Sequence, residues 1–350
     1  MSLLIKNKYG CLIDHNNFIT KVYSKVTCED GHVSFQLRPN LFRIIRSKDK
    51  DVNRKRKRAS GSCPLLIETM EVKETFTRFM QDLPEDIIKR KSPLDTLNIS
   101  SACEVRDLAT NLFESSIFDH TGISGGNNSD HPLKCEIKGN KFLLPQHSRF
   151  HVGCVKEQCK KLLGNKFDFV VADPPWWNKY IRRLKASNDK LSYSMMYNED
   201  IASISVKDLV KTNCLIAVWC TNSPSNISAL KDIIFPAWGV EYVTTWYWLK
   251  VTNDMQPLCD FGAGSQKQPY ERILIGKVGD VEVPMKQLIV SVPSALHSHK
   301  PPIVDLLSQC LKKENPQTLE LFARYLLPNT TSVGFEPLKW QHLSIYEAVS

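Results

Sequence analysis

The run Asp173-Pro174-Pro175-Trp176 holds the residue types best suited to chemistry in this chain. Each proline fixes its own backbone torsion and restricts the residue before it, so the turn is stiff and lacks two amide donors. Asp173 and the Pro174 carbonyl can then converge as acceptors. Two acceptors suit an exocyclic amine: its hydrogens are held while its lone pair is turned toward an electrophilic methyl group. Trp176 offers a flat surface on which a base could stack. The alternative is a strand-ending turn in which Asp173 caps the next helix and Trp176 packs in the core. A second aromatic and cationic group, Trp246-Tyr247-Trp248-Leu249-Lys250, is followed by Lys267, Tyr270 and Glu271. Together they suit a nucleic-acid face, although any one of these aromatics could be ordinary strand-end packing.

The elements that must position these residues read as an α/β fold. Apolar runs at Phe167–Ala172, Cys214–Cys220, Val240–Leu249, Ile273–Ile275, Leu288–Val292 and Leu319–Ala323 alternate with polar helical segments. Such alternation predicts a mostly parallel sheet with helices on both faces. Short helices are expected at Val206–Val210, Ser225–Ile234 and Pro301–Lys313. The strand Phe167–Ala172 leads directly into Asp173, and the carboxyl ends of strands in an open α/β sheet form the ligand crevice.

Upstream, residues 1 to about 47 alternate apolar and polar residues in short stretches, as expected for a few strands or hairpins. Nearly every residue from Ser47 to Ser62 is charged or small, which reads as a linker. Apolar residues at helical spacing predict helices over Leu65–Lys91 and Ser101–Phe118, and the Gly/Asn/Ser-rich stretch Thr121–Pro132 reads as a loop. The expected organisation is therefore a small N-terminal module and basic linker (1–62), a helical segment (63–133) and a catalytic domain (134–350).

Composition narrows the classes. Hydrophobic residues at 42% and charged residues at 24% describe a globular chain, not a disordered or collagenous one. No apolar run approaches the ~20 residues that cross a bilayer, and the first residues lack a signal-peptide pattern, so an intracellular protein without a membrane partner is expected. The cysteines number 11, an odd count at irregular spacing, which reads as reduced thiols. No metal site is expected: Cys154 and Cys159 lack a partner pair, and His297 and His299 lack a third ligand. The net charge of +9 favours an anionic partner, nucleic acid before membrane. Much of that excess lies in Arg54-Lys55-Arg56-Lys57-Arg58, either a solvated linker or a nuclear localisation signal.

With Asp-Pro-Pro-Trp at a strand end, the sequence resembles the eukaryotic adenine-N6 methyltransferases of the mRNA-methylase superfamily. The resemblance extends through Lys141-Phe142-Leu143-Leu144-Pro145, Val218-Trp219-Cys220-Thr221-Asn222, Leu296 to Pro302, and Leu319 to Arg324. It implies a permuted Rossmann-like methyltransferase domain, in which the catalytic motif precedes the cofactor segment, and S-adenosylmethionine as cofactor. Asp173, Pro174, Pro175 and Trp176 would be catalytic. Lys300 would neutralise the cofactor's carboxylate, Arg324 would contact the ribose or its loop, and Glu336 would bind ribose hydroxyls. Gly153 and Cys154 would lie beside the cofactor adenine through backbone groups, since the acid often found there is absent. Phe335 replaces a polar residue of the family pattern, so it either stacks on the cofactor or weakens its binding. Trp176, Asn222, Trp248, Lys250, Tyr270 and Glu271 would face substrate, and Tyr193 would gate the base. RNA is the favoured substrate, because a looped base is extruded more cheaply than a duplex base. The resemblance implies small nuclear RNA with a 2′-O-methylated target adenosine, in the nucleus first and the cytoplasm second. DNA adenine methylation and a catalytically silent nucleic-acid-binding scaffold are the alternatives.

Overall fold

The computed structural model describes residues 2–29, 31–44, 46, 64–88, 102–115, 121–177, 195–262, 267–313 and 315–349. Its strands, in chain order, are β1 (Leu3–Lys6), β2 (Gly10–Ile13), β3 (Val26–Cys28), β4 (Gly31–Leu37), β5 (Ser124–Asn127), β6 (Leu133–Ile137), β7 (Asn140–Leu144) and β8 (Ser148–Val152). They continue as β9 (Phe167–Ala172), β10 (Val210–Cys220), β11 (Glu241–Lys250), β12 (Tyr270–Val278), β13 (Leu288–Ser291), β14 (Thr318–Leu321), β15 (Thr330–Gly334) and β16 (Tyr346–Val349). An 11-stranded sheet has the order β1-β2-β13-β11-β12-β10-β9-β14-β15-β8-β5, and a 5-stranded sheet the order β16-β4-β3-β6-β7.

In the large sheet β10, β9, β14, β15 and β8 are parallel neighbours, as are β11, β13 and β2, while β12 runs antiparallel between β10 and β11. β9 is buried along its whole length, as a strand covered on both faces must be. Val170 and Ala172 pack on one face with helix residues Val155, Cys159, Ile201, Leu230 and Phe235. Phe169 and Val171 pack on the other with Ile303 and Leu307. The strand order reverses beside β9, with β10 on one side and β14 on the other, which is where such sheets open a crevice.

The segment upstream of the basic run does not stand apart. β1 and β2 extend the large sheet through β13, and β3 and β4 share the small sheet with β6, β7 and the C-terminal β16. The boundaries expected at 62 and 133 therefore do not divide the two sheets. Alternation within short strands shows that a strand exists but not which distant strand it pairs with. The helices Pro64–Gln81 and Ala102–Ser115 match the expected spacing. Val72, Phe76 and Phe79 of the first pack on Leu249, Leu288 and Val290.

Part of the stretch read as a loop at Thr121–Pro132 is instead the edge strand β5, antiparallel to β8. Its glycines allow the close approach: a Cβ on Gly126 would lie 2.2 Å from the Ser148 carbonyl oxygen. The helix expected over Pro301–Lys313 begins only at Val304, and that over Ser225–Ile234 passes through a π-turn at Leu230–Ile234 before Pro236. Among the described residues no helix is long and apolar enough to cross a membrane.

Candidate active site

Parallel strands bring distant sequence to one edge. Asp173 follows β9, Asn222 follows β10, Phe322 to Arg324 follow β14, Phe335 and Glu336 follow β15, and Gly153 and Cys154 follow β8. The antiparallel β12 begins at the same edge, so Tyr270, Glu271 and Arg272 join them. The segment after β13 supplies His297, Ser298 and Lys300. All of these except Gly153 and Arg272 line a cleft with two lobes that share Asp173, Pro175, Met195 and Arg324; Gly153, expected beside the cofactor, lies behind Cys154 and outside both linings.

The first lobe, of about 300 Å³, is lined by Cys154, Val155, Phe322, Ala323, Phe335 and Glu336. Phe322 holds a left-handed backbone (φ 63°), sparsely populated for a bulky residue and maintained by the packing of the β14 turn. Gly153 also has positive φ, and a Cβ there would meet Gln158 Nε2 at 2.8 Å. Glu336 is bound by Lys339 and lies 3.9 Å from Arg324. Arg324 donates to His297 Nδ1 at 2.9 Å. Burial and then the Arg324 charge lower the His297 pKa to about 4, so the ring is a neutral acceptor at neutral pH.

The second lobe, of about 440 Å³, carries Lys250, Lys267, Lys300 and Arg324 against the carboxylates Asp173 and Glu271. Ser298 donates to Asp173 Oδ2 at 2.8 Å, from a left-handed backbone at φ 53°. Lys300 donates to Glu271, lies 3.7 Å from Asp173 Oδ1, and sits 5.1 Å over the Trp219 ring. Burial alone would lower the Lys300 pKa, but Asp173 and Glu271 hold it above its usual value. Burial would likewise raise Glu271, but Lys300 and Lys250 draw it down to about 2. The result is a charge-assisted chain, Lys250–Glu271–Lys300, ending beside Asp173.

The cleft brings together Asp173, Pro174, Pro175, Trp176, Asn222, Lys250, Tyr270, Glu271, Lys300 and Arg324 in one lobe and Cys154, Phe335 and Glu336 in the other. Two expectations change. The Trp176 ring is not an open platform: it is 6% exposed, packs in the core, and donates its Nε1–H to the Trp219 carbonyl at 2.9 Å. Trp248 is not at the cleft: it lies beneath Lys250 on the same face of β11, packed edge-on against Trp219, with its Nε1–H on Ser291 Oγ at 2.7 Å. The Pro174 carbonyl already accepts the Trp176 amide at 2.8 Å, so only its second lone pair could converge with Asp173. Tyr193 lies outside the described residues. Sequence reading missed Ser298, Met195 and Arg272. Ser298 sits between two histidines that drew attention as metal ligands, whereas among the described residues no metal-binding cluster exists.

The MT-A70 family model matches residues 167–336. The motifs noted above are, within the superfamily, those of methyltransferase-like protein four, and the chain is 34% identical over 287 residues to the N(6)-adenine-specific methyltransferase METTL4 of Mus musculus, covering 73% of this chain and 59% of that protein. It is 38% identical over 216 residues to the DNA N6-methyl methyltransferase of Caenorhabditis elegans, covering 59% of this chain and 56% of that protein. It is 35% identical over 206 residues to the N6-methyladenosine RNA methyltransferase MTA1 of Cryphonectria parasitica, covering 57% of this chain and 60% of that protein. The chain thus spans less than two thirds of the length of each of these relatives.

Proposed function

The chain belongs to the MT-A70 family, and from that premise we propose that it transfers a methyl group from S-adenosylmethionine to the N6 amine of adenine in RNA. The observation that carries the reading is Asp173, at the end of β9, shared by both lobes of the cleft. One lobe suits the cofactor and the other an anionic polymer.

The first lobe fits S-adenosylmethionine in its donor set. It has the apolar faces of Val155, Phe322 and Phe335 for an adenine ring and the Glu336 carboxylate for ribose hydroxyls. Phe335 is 46% exposed and lines this lobe, which supports its stacking on the cofactor over a loss of binding. Lys300 would meet the cofactor's carboxylate, and Arg324, fixed by His297, would stand over the ribose. When bound, the cofactor supplies an electrophilic methyl on a sulfonium. The chain's own part is alignment: Asp173 accepts a hydrogen from the amine and turns its lone pair toward that methyl. No general base is required before transfer, since the proton can leave afterwards. Ser298 holds the Asp173 carboxylate in one orientation.

Small nuclear RNA with a 2′-O-methylated target adenosine is the substrate we favour, and nuclear placement through the basic run 54–58, which lies outside the described residues, accompanies it. Neutralising that run and finding the protein's distribution in cells unaltered would remove the localisation role. DNA is the second reading, favoured by the similarity to the DNA N6-methyl methyltransferase of Caenorhabditis elegans. Incubating the protein with labelled cofactor and RNA or DNA oligonucleotides tests the proposal. N6-methyladenine in RNA supports it, label only in DNA transfers it to the second reading, and cofactor binding without transfer to either leaves a silent scaffold.

A further inference from the structure

Among the described residues Arg272 is the largest charged side chain sealed inside the fold, 1% exposed behind the cleft residues Asn222 and Tyr270. It donates from Nη2 to Glu68 of the helix Pro64–Gln81 and from Nη1 to Asn222 Oδ1. Tyr270, a cleft residue, sits 5.3 Å from the guanidinium and donates its hydroxyl to the same Glu68 carboxylate at 3.2 Å. Thr69, next along that helix, meets the Tyr270 hydroxyl at 3.0 Å.

A guanidinium has only donors, so it can accept nothing from an amide. The Asn222 side chain is therefore fixed one way round: its oxygen faces Arg272, and its Nδ2 is left for the cleft that Asn222 lines. Among the described residues nothing accepts from that nitrogen. Asn222 and Asp173 follow the neighbouring strands β10 and β9 and line the same lobe. That lobe thus offers both a carboxylate acceptor and an amide donor. Adenine presents the matching pair on either edge that carries its amine: an N–H donor next to a ring-nitrogen acceptor, N1 on one side and N7 on the other. Guanine and uracil present the reverse pattern at the corresponding Watson–Crick positions and would leave both groups unmatched.

We infer that Asn222 reads the target base by donating to the ring nitrogen beside the amine, and that Glu68 and Arg272 are positioning residues that fix the direction of its amide. The inference rests on the adenine-N6 reading above. It also gives a helix that lies outside the matched 167–336 segment a part in substrate selection.

The test uses the full chain and RNA oligonucleotides whose single adenine is replaced by 1-deazaadenine or 7-deazaadenine, each of which keeps the amine. Wild type should lose tenfold or more in kcat/KM on one of the two analogues. Asn222→Ala and Asn222→Asp should lower native adenine to that level with no further loss on that analogue. Glu68→Gln should shrink the ratio between native and analogue several-fold, with the cofactor Kd unchanged, and Glu68→Asp should restore part of it. If Glu68→Gln does not fold, the Asn222 pair carries the test alone, checked by unchanged melting curves. Normal methylation with indifference to both analogues overturns the inference, as does an Asn222→Ala variant that keeps the full penalty. Binding of the same oligonucleotides by fluorescence anisotropy separates the two readings. An Asn222-dependent preference for adenine in a protein that methylates nothing supports the donor and refutes the activity.

Discussion

At the scale of residues, the site is a set of charges held in tension beside Asp173. On the proposed reading Asp173 orients the amine and supports no core contact, so Asp173→Ala should lower kcat by about a hundredfold or more while the cofactor Kd and the melting temperature stay near wild type. Turnover near wild type would remove the assignment. Lys300→Ala should weaken cofactor binding, and an unchanged Kd would leave Lys300 only its link to Glu271. Glu320 on β14 gives a second, independent handle. Its Oε2 is buried without a hydrogen-bond partner, and burial together with the Asp173 charge pushes its pKa up to about 8. Between an unfolded pKa near 4.5 and about 8 the folded chain holds a proton that the unfolded chain has lost, so stability falls as pH rises across that window. Glu320→Gln, neutral at every pH, should therefore raise the melting temperature at pH 8 and change it little at pH 4. An equal effect at both would show that the carboxyl is ionised in the fold. Asp173, Lys300, Arg324 and Glu336 were legible from the motifs that contain them. Ser298 and Glu320 were not, because their roles depend on which side chains strands distant in sequence bring to them.

At the scale of elements, the sequence showed the catalytic half more clearly than the rest. β9 is found at the residues read for it, Phe167–Ala172, because a strand buried on both faces is a continuous apolar run bounded by polar residues. The N-terminal strands were legible as strands, but their partners were not. β2 lies against β13, and Phe18, Phe35, Leu37 and Leu41 complete a core with Leu143, Leu296 and Trp340. A chain lacking residues 1–62 loses that core wall and the sheet edge together. It should be insoluble or melt without cooperativity, whereas a separable module would leave the remaining residues stable. A soluble, cooperatively melting 63–350 fragment would restore the boundary at 62. The milder change Phe79→Ala removes a fully buried ring from the helix Pro64–Gln81 and should cost about 3–5 kcal/mol, read from denaturant midpoints.

For the whole molecule, the question is which polymer enters the cleft. The chain carries a net charge of +9, and the second lobe sets four cationic side chains against two carboxylates, so binding should weaken as salt is raised. Charge alone attracts RNA and DNA alike; discrimination must come from the sugar. A 2′-O-methyl group can be read only by apolar contact, worth about 1–3 kcal/mol in a dry pocket, which makes it a preference and not an absolute filter. We propose that the lobe wall supported by Tyr270, a buried residue that Glu68 and Thr69 of the helix Pro64–Gln81 hold in place, makes that contact. Oligoribonucleotides that differ only in the 2′-O-methyl of the target adenosine should then differ by about tenfold or more in kcat/KM, in favour of the methylated one. Tyr270→Ala should narrow that gap more than it lowers the rate on the unmethylated strand, since the lobe wall would lose the ring that supports it. Equal rates on the two strands, or faster turnover of duplex DNA, would overturn the small-nuclear-RNA reading and leave methyl transfer to adenine standing.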